Sequence, residues 1–227
     1  ANLSRVGLEV GKRFFKSQMS HVNIMVNNRC NQRCLCCNIW DCQPKQDITL
    51  YDVKRILENN DLMWITLTGG EPTLSPDFSK ILTLCMQKAK LVHLNTNGLL
   101  TERLKLAVVN AVTSSAKSLM VVNLSLFGEE AHHDMLTRTP GSYSHVLDSL
   151  KAIKQFGMGR VIPGFAHTIT QYNCGQYKHV EMLARRYKVG VTYAWERHIP
   201  FFGNSDGEKF NPQFPSPELT LNPVSLF

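Results

Sequence analysis

The sequence predicts an α/β fold, a partial (β/α)6 barrel of the TIM type with parallel strands. Three observations predict it. Short runs of β-formers alternate with helical stripes along the middle of the chain, the pattern of a parallel sheet with crossover helices. Several strand-like runs end at glycine turns: Gly69-Gly70, Asn97-Gly98 and Gly128. At 227 residues, 43% hydrophobic and 19% charged, the chain is long enough for one sizeable core.

The elements follow in order. Residues 22–26 (Val-Asn-Ile-Met-Val) read as the first strand, which delivers the chain into a cysteine-rich loop. Thr49 is the expected N-cap of the first helix, with Asp52 three positions on as a weak capping box. Val53, Ile56 and Leu57 form its apolar stripe. Residues 64–68 (Trp-Ile-Thr-Leu-Thr) are the second strand. Ser75-Pro76-Asp77 reads as the next helix start, with Pro76 at the first helical position, and Ile81, Leu82 and Cys85 continue its inner face. Residues 91–95 are the third strand, closed by the Asn97-Gly98 turn. A helix opened by Thr101 runs to about Val112, and residues 119–126 are the fourth strand. A helix over 144–156, a fifth strand over 160–169 bent at Pro163-Gly164, a helix over 175–188 and a sixth strand over 189–195 complete the series. In such folds sites form at the C-terminal ends of the strands, so the turns after the first four share one rim.

The ends differ from this middle. Residues 1–20 mix Leu3, Val6, Leu8, Phe14 and Phe15 with Lys12, Arg13 and Lys16, and read as an N-terminal helical extension covering one end of the barrel. Residues 21–202 read as the partial-barrel domain. Residues 203–227 turn to Gly, Pro, Asn and Ser, with Pro212, Pro215, Pro217 and Pro223, and read as a tail or linker.

Four of the seven cysteines fall within residues 30–37, and Cys30, Cys34 and Cys37 have the spacing C-x3-C-x2-C. Three thiolates on one short loop can bind one metal centre, and three is one ligand short of a closed structural zinc site or an ordinary cluster cage. An open position points to chemistry rather than scaffolding. The start of the chain does not read as a secretory signal, so a cytoplasmic location is expected, where clustered cysteines read as metal ligands before disulfides. No apolar stretch approaches the roughly 20 residues of a membrane span, so no transmembrane segment is expected. The formal net charge is +7, but the basic residues are dispersed and form no long run, which disfavours nucleic acid as a partner. A second segment, Thr68-Gly69-Gly70-Glu71-Pro72, follows the second strand.

Cys-x3-Cys-x2-Cys followed by Gly-Gly-Glu-Pro resembles the joint signature of the radical S-adenosylmethionine (SAM) enzymes, and the resemblance runs from about His21 to Trp195. It implies that Cys30, Cys34 and Cys37 ligate three irons of a [4Fe-4S] cluster and leave the fourth iron to the amine and carboxylate of SAM. Reductive cleavage of SAM would then give a 5′-deoxyadenosyl radical that abstracts hydrogen from a substrate. An external electron donor, flavodoxin or ferredoxin, is implied too. Glu71 is the implied partner of the SAM amine, with the Gly69-Gly70 backbone beside it and Pro72 closing the motif. Residues 123–128 (Asn-Leu-Ser-Leu-Phe-Gly) and 140–143 (Pro-Gly-Ser-Tyr) resemble the family's fourth-strand segment. There Ser125 corresponds to a residue contacting the SAM ribose or carboxylate, and Arg138 is placed to pair that carboxylate. Phe127 stands where many relatives have Asp, and Arg138 lies one position off the usual Arg. Asn97 is read equally as a SAM contact and as a turn residue.

Other residues carry two readings. Cys36 occupies a position that is more often aromatic in the family; it reads as a small packer beside the cluster, and Cys37 keeps the x3/x2 spacing. Cys42 reads as a loop thiol or an extra ligand. Cys85 and Cys174 read as structural. Trp40 is equally an adenine shield and a core residue. His132 and His133 are acid/base candidates or surface residues at a helix start. His167, Thr168, Asn173, Trp195, Glu196 and His198 are candidate pocket residues near the later strand ends, and each alone reads more often as structural.

Within the family the pattern looks most like the peptide- and protein-modifying branch, so a peptide or protein is the first expected substrate. The absence of any cysteine after Cys174 removes that branch's auxiliary clusters from these residues and favours the runner-up, a small molecule such as a sugar, nucleoside or lipid precursor. Two rivals from other classes are a zinc-binding interaction module and a catalytically silent scaffold.

Overall fold

The computed structural model describes residues 21–58 and 62–196. The expected N-terminal extension, the tail and His198 lie outside them. Six strands, β1 (His21–Met25), β2 (Trp64–Thr68), β3 (Leu91–Thr96), β4 (Leu119–Ser125), β5 (Val161–Ile169) and β6 (Gly190–Trp195), form one sheet in sequence order. All five pairings are parallel. Helices α1 (Leu50–Glu58), α2 (Phe78–Lys88), α3 (Thr101–Ser114), α4 (Glu130–Thr137), α5 (Ser142–Phe156) and α6 (Tyr177–Tyr187) fill the crossovers. Because β1 and β6 are not paired, the sheet is a partial barrel with an open side, as the sequence predicts.

Strand alternation explains where the core sits. Ile24, Ile65, Leu67, Val92, Leu94, Val122, Leu124 and Phe165 share one face in register and are buried against the helices. Helices α2 and α3 contribute Phe78, Ile81, Leu82, Leu104 and Val108 to the same cluster. The other face carries Asn23, Thr66, His93, Asn95, Asn123, Ser125, Ala166 and Thr192 at paired positions. None of these eight belongs to the apolar cluster, so this is the inner, polar face of the barrel.

Local signals hold in detail at α1. The Thr49 N–H donates to Asp52 Oδ2 and the Asp52 N–H to Thr49 Oγ1, which closes the capping box. The start of α2 differs from expectation. Pro72–Leu74 form a 3₁₀ turn, and α2 begins at Phe78, so Pro76 precedes the helix rather than opening it. The fifth strand keeps register with β4 through Pro163 and Gly164. The helix start expected near His132 is the short α4, which hands over to α5 at Gly141 in the left-handed region.

Candidate functional site

The rim begins where β1 and β2 end, because their pairing continues past both strands. The Val26 N–H donates to Thr68 O (2.8 Å), Gly70 to Asn27 O (2.8 Å) and Glu71 to Arg29 O (2.6 Å). This close approach requires glycine twice. A Cβ at Gly69, whose φ is +154°, would lie 2.5 Å from Asn27 O, and one at Gly70 would lie 2.2 Å from Arg29 O. The Gly-Gly pair therefore lays bare backbone against the entrance of the cysteine loop.

That loop is pinned at its base and at its far side. At the base, Asn28 N–H donates to Gln46 O and Ile48 N–H to Val26 O, and Arg29 pairs with Asp47 at 2.7 Å. On the far side, the Arg33 and Leu35 N–H groups donate to Thr137 O (3.2 Å) and Leu136 O (2.8 Å). These are carbonyls of the last turn of α4, which lack intrahelical partners, so the loop serves as a C-cap for α4 while α4 fixes the loop. The Arg33 guanidinium lies 5.5 Å from the centre of the Trp40 ring, so Trp40 packs within the loop.

Glu71 ties this assembly to β3. It is 1% exposed. Its Oε1 accepts from the Thr73 N–H (3.0 Å), Thr73 Oγ1 (2.6 Å) and Thr96 Oγ1 (2.7 Å), and its Oε2 accepts from the Asn97 N–H (2.7 Å). Burial raises its pKa and these four donors oppose the rise. The Asn27 amide donates to the Glu71 backbone carbonyl at 2.9 Å. Asn97, 7% exposed, combines both of its expected characters. Its Oδ1 accepts from the Leu99 N–H as a turn residue does, while its Nδ2 donates to Asn31 Oδ1 (2.8 Å) and reaches Cys30 Sγ (3.9 Å).

None of the seven cysteines is in a disulfide. Cys30, Cys34, Cys36 and Cys37 are half-buried on the loop, and burial is the main cause that raises each thiol, Cys30 to about 11 and Cys36 to about 12. Neighbouring thiols add to the rise: Cys36, Cys30 and Cys37 all act on Cys34, and Cys37 acts on Cys30. Among the described residues no three Cys, His, Asp or Glu side chains already converge at metal-ligand spacing. The thiols nevertheless occupy one partly desolvated region where several thiolates would need a cation, and soft sulfur donors fit an iron–sulfur centre. Cys36 also faces the charge of Glu196. Cys42 donates to Asn38 O within the loop, Cys85 lies in the core and Cys174 is exposed. A cavity of about 410 Å³ opens beside the loop base near Cys42 and Asp47, and Cys30, Cys34 and Cys37 do not line it.

The remaining expected residues divide. Ser125 ends β4 on the inner face beside Ala166. Arg138 is exposed at the C-cap of α4 with φ +50°, and its neighbour Thr137 is the residue whose carbonyl meets the cysteine loop. Thr168 lies on the inner face. His132 sits at the surface beside Glu129 Oε1. His133 corrects the surface expectation: it is 1% exposed, its Nδ1 accepts from the Phe127 N–H, and its ring stacks on Phe127. His167 takes the structural one of its two readings: it shares the helix-covered face with Phe165 and its Nδ1–H donates to Leu126 O. Asn173 is a buried staple, its Nδ2 donating to Phe127 O and Thr168 O. Trp195 is on the same face as His167 and is exposed.

Sequence reasoning missed the inner-face row and Gln32. The row had a legible signal, polar residues alternating with apolar ones along β2, β3 and β4. Gln32 sits between the first two cysteines, 3% exposed, with its Oε1 facing Cys34 Sγ at 3.7 Å.

Comparison with known proteins places this geometry. The family model described as Radical SAM superfamily matches residues 24–172. A probable GTP 3′,8-cyclase of Methanocella arvoryzae is 29% identical over 146 residues, covering 62% of this chain and 45% of that protein. The mycofactocin maturase MftC of Mycobacterium ulcerans is 28% identical over 149 residues, 66% of this chain and 38% of that protein. The chain thus spans less than half the length of these relatives. In fold it is similar to Streptococcus suis SuiB, solved bound to S-adenosylmethionine, with a TM-score of 0.66 at 17% identity, over 83% of this chain and 43% of that one.

Proposed function

This chain belongs to the Radical SAM superfamily, and on that premise we propose that it holds a [4Fe-4S] cluster on Cys30, Cys34 and Cys37 and uses it on SAM. When bound there and reduced by an external donor of the flavodoxin or ferredoxin type, the group held by Cys30, Cys34 and Cys37 would supply the one electron for reductive cleavage of SAM to methionine and a 5′-deoxyadenosyl radical, which would take a hydrogen atom from substrate. The observation that carries the reading is the convergence of the cysteine loop, the Gly69-Gly70 backbone and Asn97 at one rim, locked together by the Glu71 carboxylate.

The residues have separable tasks. Gly69 and Gly70 let the chain pass close to the loop, and Pro72 opens the 3₁₀ turn that keeps Thr73 on the Glu71 carboxylate. Glu71 orients Asn97 and keeps acceptor capacity on Oε2 for the SAM amine, since Oε2 takes one bond where Oε1 takes three. Ser125 faces the SAM ribose or carboxylate from the inner face, and Arg138, beside the loop's contact with α4, neutralises the carboxylate.

The substrate we propose is a peptide or protein. The open side between β1 and β6 supports it, because it leaves lateral access to the inner face, and so does the likeness to a maturase. A small-molecule substrate is the second reading, favoured by the likeness to a GTP 3′,8-cyclase. The class is tested by anaerobic reconstitution with iron and sulfide followed by dithionite and SAM. Brown protein with about four irons per chain that releases 5′-deoxyadenosine is expected. Zinc without sulfide would instead indicate a binding module, and a cluster that never cleaves SAM a silent scaffold.

A further inference from the structure

The carboxamide of Gln32 has one end engaged and one end idle. Its Oε1 accepts the Cys34 S–H at 3.7 Å, while its Nε2 is buried and has no hydrogen-bond partner among the described residues. A buried amide donor without an acceptor is uncommon and calls for an explanation. The carboxamide lies against Cys34 Sγ, and a sulfur that ligates a metal accepts hydrogen bonds and donates none. A half-turn about the last side-chain torsion, which has two-fold wells, exchanges the ends and brings the idle N–H onto the sulfur.

Two donors already stand on the neighbouring sulfur in the same manner. The Gln32 backbone N–H points at Cys30 Sγ at 3.5 Å, and Asn97 Nδ2 reaches the same atom at 3.9 Å. Asn97 is held for this by Glu71 Oε2 on its own N–H and by Asn31 on its amide. We propose that Gln32, with Asn97, supplies N–H···S hydrogen bonds to the liganding sulfurs and thereby sets the reduction potential of the cluster. Gln32 is thus a positioning and tuning residue and does not touch the reacting atoms. Hydrogen bonds to cluster sulfurs favour the more negative, reduced state and raise the potential.

This inference rests on the cluster reading above, and the test separates the two. Wild type, Gln32→Leu and Gln32→Met are reconstituted, and the midpoint potential of each is read by EPR-monitored redox titration without SAM. Both substitutions remove the side-chain donor, and Met keeps an unbranched chain of similar length. A more negative midpoint in the variants is expected, with Cys174→Ser unshifted. An unshifted midpoint in a fully loaded variant overturns the inference alone, and wild-type protein that takes up no cluster overturns the cluster reading with it. A second readout uses wild type only. With glutamine ¹⁵N-labelled at the side chain, pulsed EPR of the reduced cluster should detect coupling to that nitrogen, and its absence overturns the proposal whatever the variants do.

Discussion

On the helix-covered face of the sheet, Ile65, Leu94, Val122 and Phe165 are sealed among other apolar side chains. One residue further along the same strands, Thr66, Asn95, Asn123 and Ala166 turn to the inner face, where Asn123 reaches across to Thr192. The outer face satisfies itself chiefly by burial, with His167 bonded to Leu126 O as a polar exception. The inner face and its rim contribute little apolar burial and rely on named polar pairs: Glu71 with Thr73, Thr96 and Asn97, and His133 with Phe127. The difference teaches how the fold can keep three thiols half-buried beside a buried carboxylate: the stability of the barrel is built on the opposite side of each strand.

The comparison can be broken by substitution on either side. The largest effect is expected at the rim. Cys30→Ala, Cys34→Ala or Cys37→Ala should each abolish cluster binding and SAM cleavage while far-UV circular dichroism stays native. Cys85→Ala, in the core, should keep the cluster. If Cys37→Ala kept its cluster and Cys36→Ala lost it, the ligand set would have to be redrawn.

Next comes the outer face. Phe165→Ala should lose about 3–5 kcal/mol in urea unfolding. The loss should vary little between pH 4 and pH 8, because the side chain removed is not itself ionisable.

The rim should behave in the opposite way. Burial is the main cause that pushes the His133 pKa down from its ordinary 6.5 to about 4, with the Asp134 charge opposing. Between those two values the unfolded chain binds a proton that the folded chain refuses, so stability falls as pH drops through this window. It is unaffected above it, and the total loss is up to about 3 kcal/mol. Stability measured against pH should show this slope in wild type and a shallower one in His133→Gln, which keeps an acceptor for the Phe127 N–H, because burial also holds the pKa of His167 and His93 down. An equal slope in both proteins would remove His133 from the account.

The smallest effect is at Glu71. Glu71→Gln turns one acceptor oxygen into a donor that faces donors, and leaves Asn97 or the two threonines without a partner. SAM cleavage should fall about 10- to 100-fold in anaerobic turnover with iron content unchanged. Full activity would show that the carboxylate is not what holds the rim together.

What the sequence disclosed follows from the range of the interactions. The order and direction of the six strands and the Thr49–Asp52 capping box were legible because period and capping are local. The start of α2 was not. Ser75-Pro76-Asp77 looks like a helix entry, but Glu71 and Pro72 begin a 3₁₀ turn first, and that turn is fastened by bonds from Glu71 to Thr96 and Asn97 on another strand. The motif itself marked Glu71 as functional, yet the four donors that hold it needed the fold. His133 looked like a surface residue at a helix start, because its burial comes from Phe127 and Tyr143, which pack on it from either side in sequence. The alternation along β5 could have shown that His167 and Thr168 face opposite ways, since neighbours on a strand always do. Gln32 carried no signal in sequence; only its burial and the position of Cys34 give it a role.

The central claim is that three sulfurs on this rim hold a cluster with one iron open to SAM. It is tested most directly by the EPR spectrum of the reduced, reconstituted protein before and after SAM is added. The account predicts a fast-relaxing [4Fe-4S]+ signal whose shape changes on addition of SAM, and which is absent from Cys37→Ala. A signal indifferent to SAM, or protein that binds zinc and no sulfide, would contradict it.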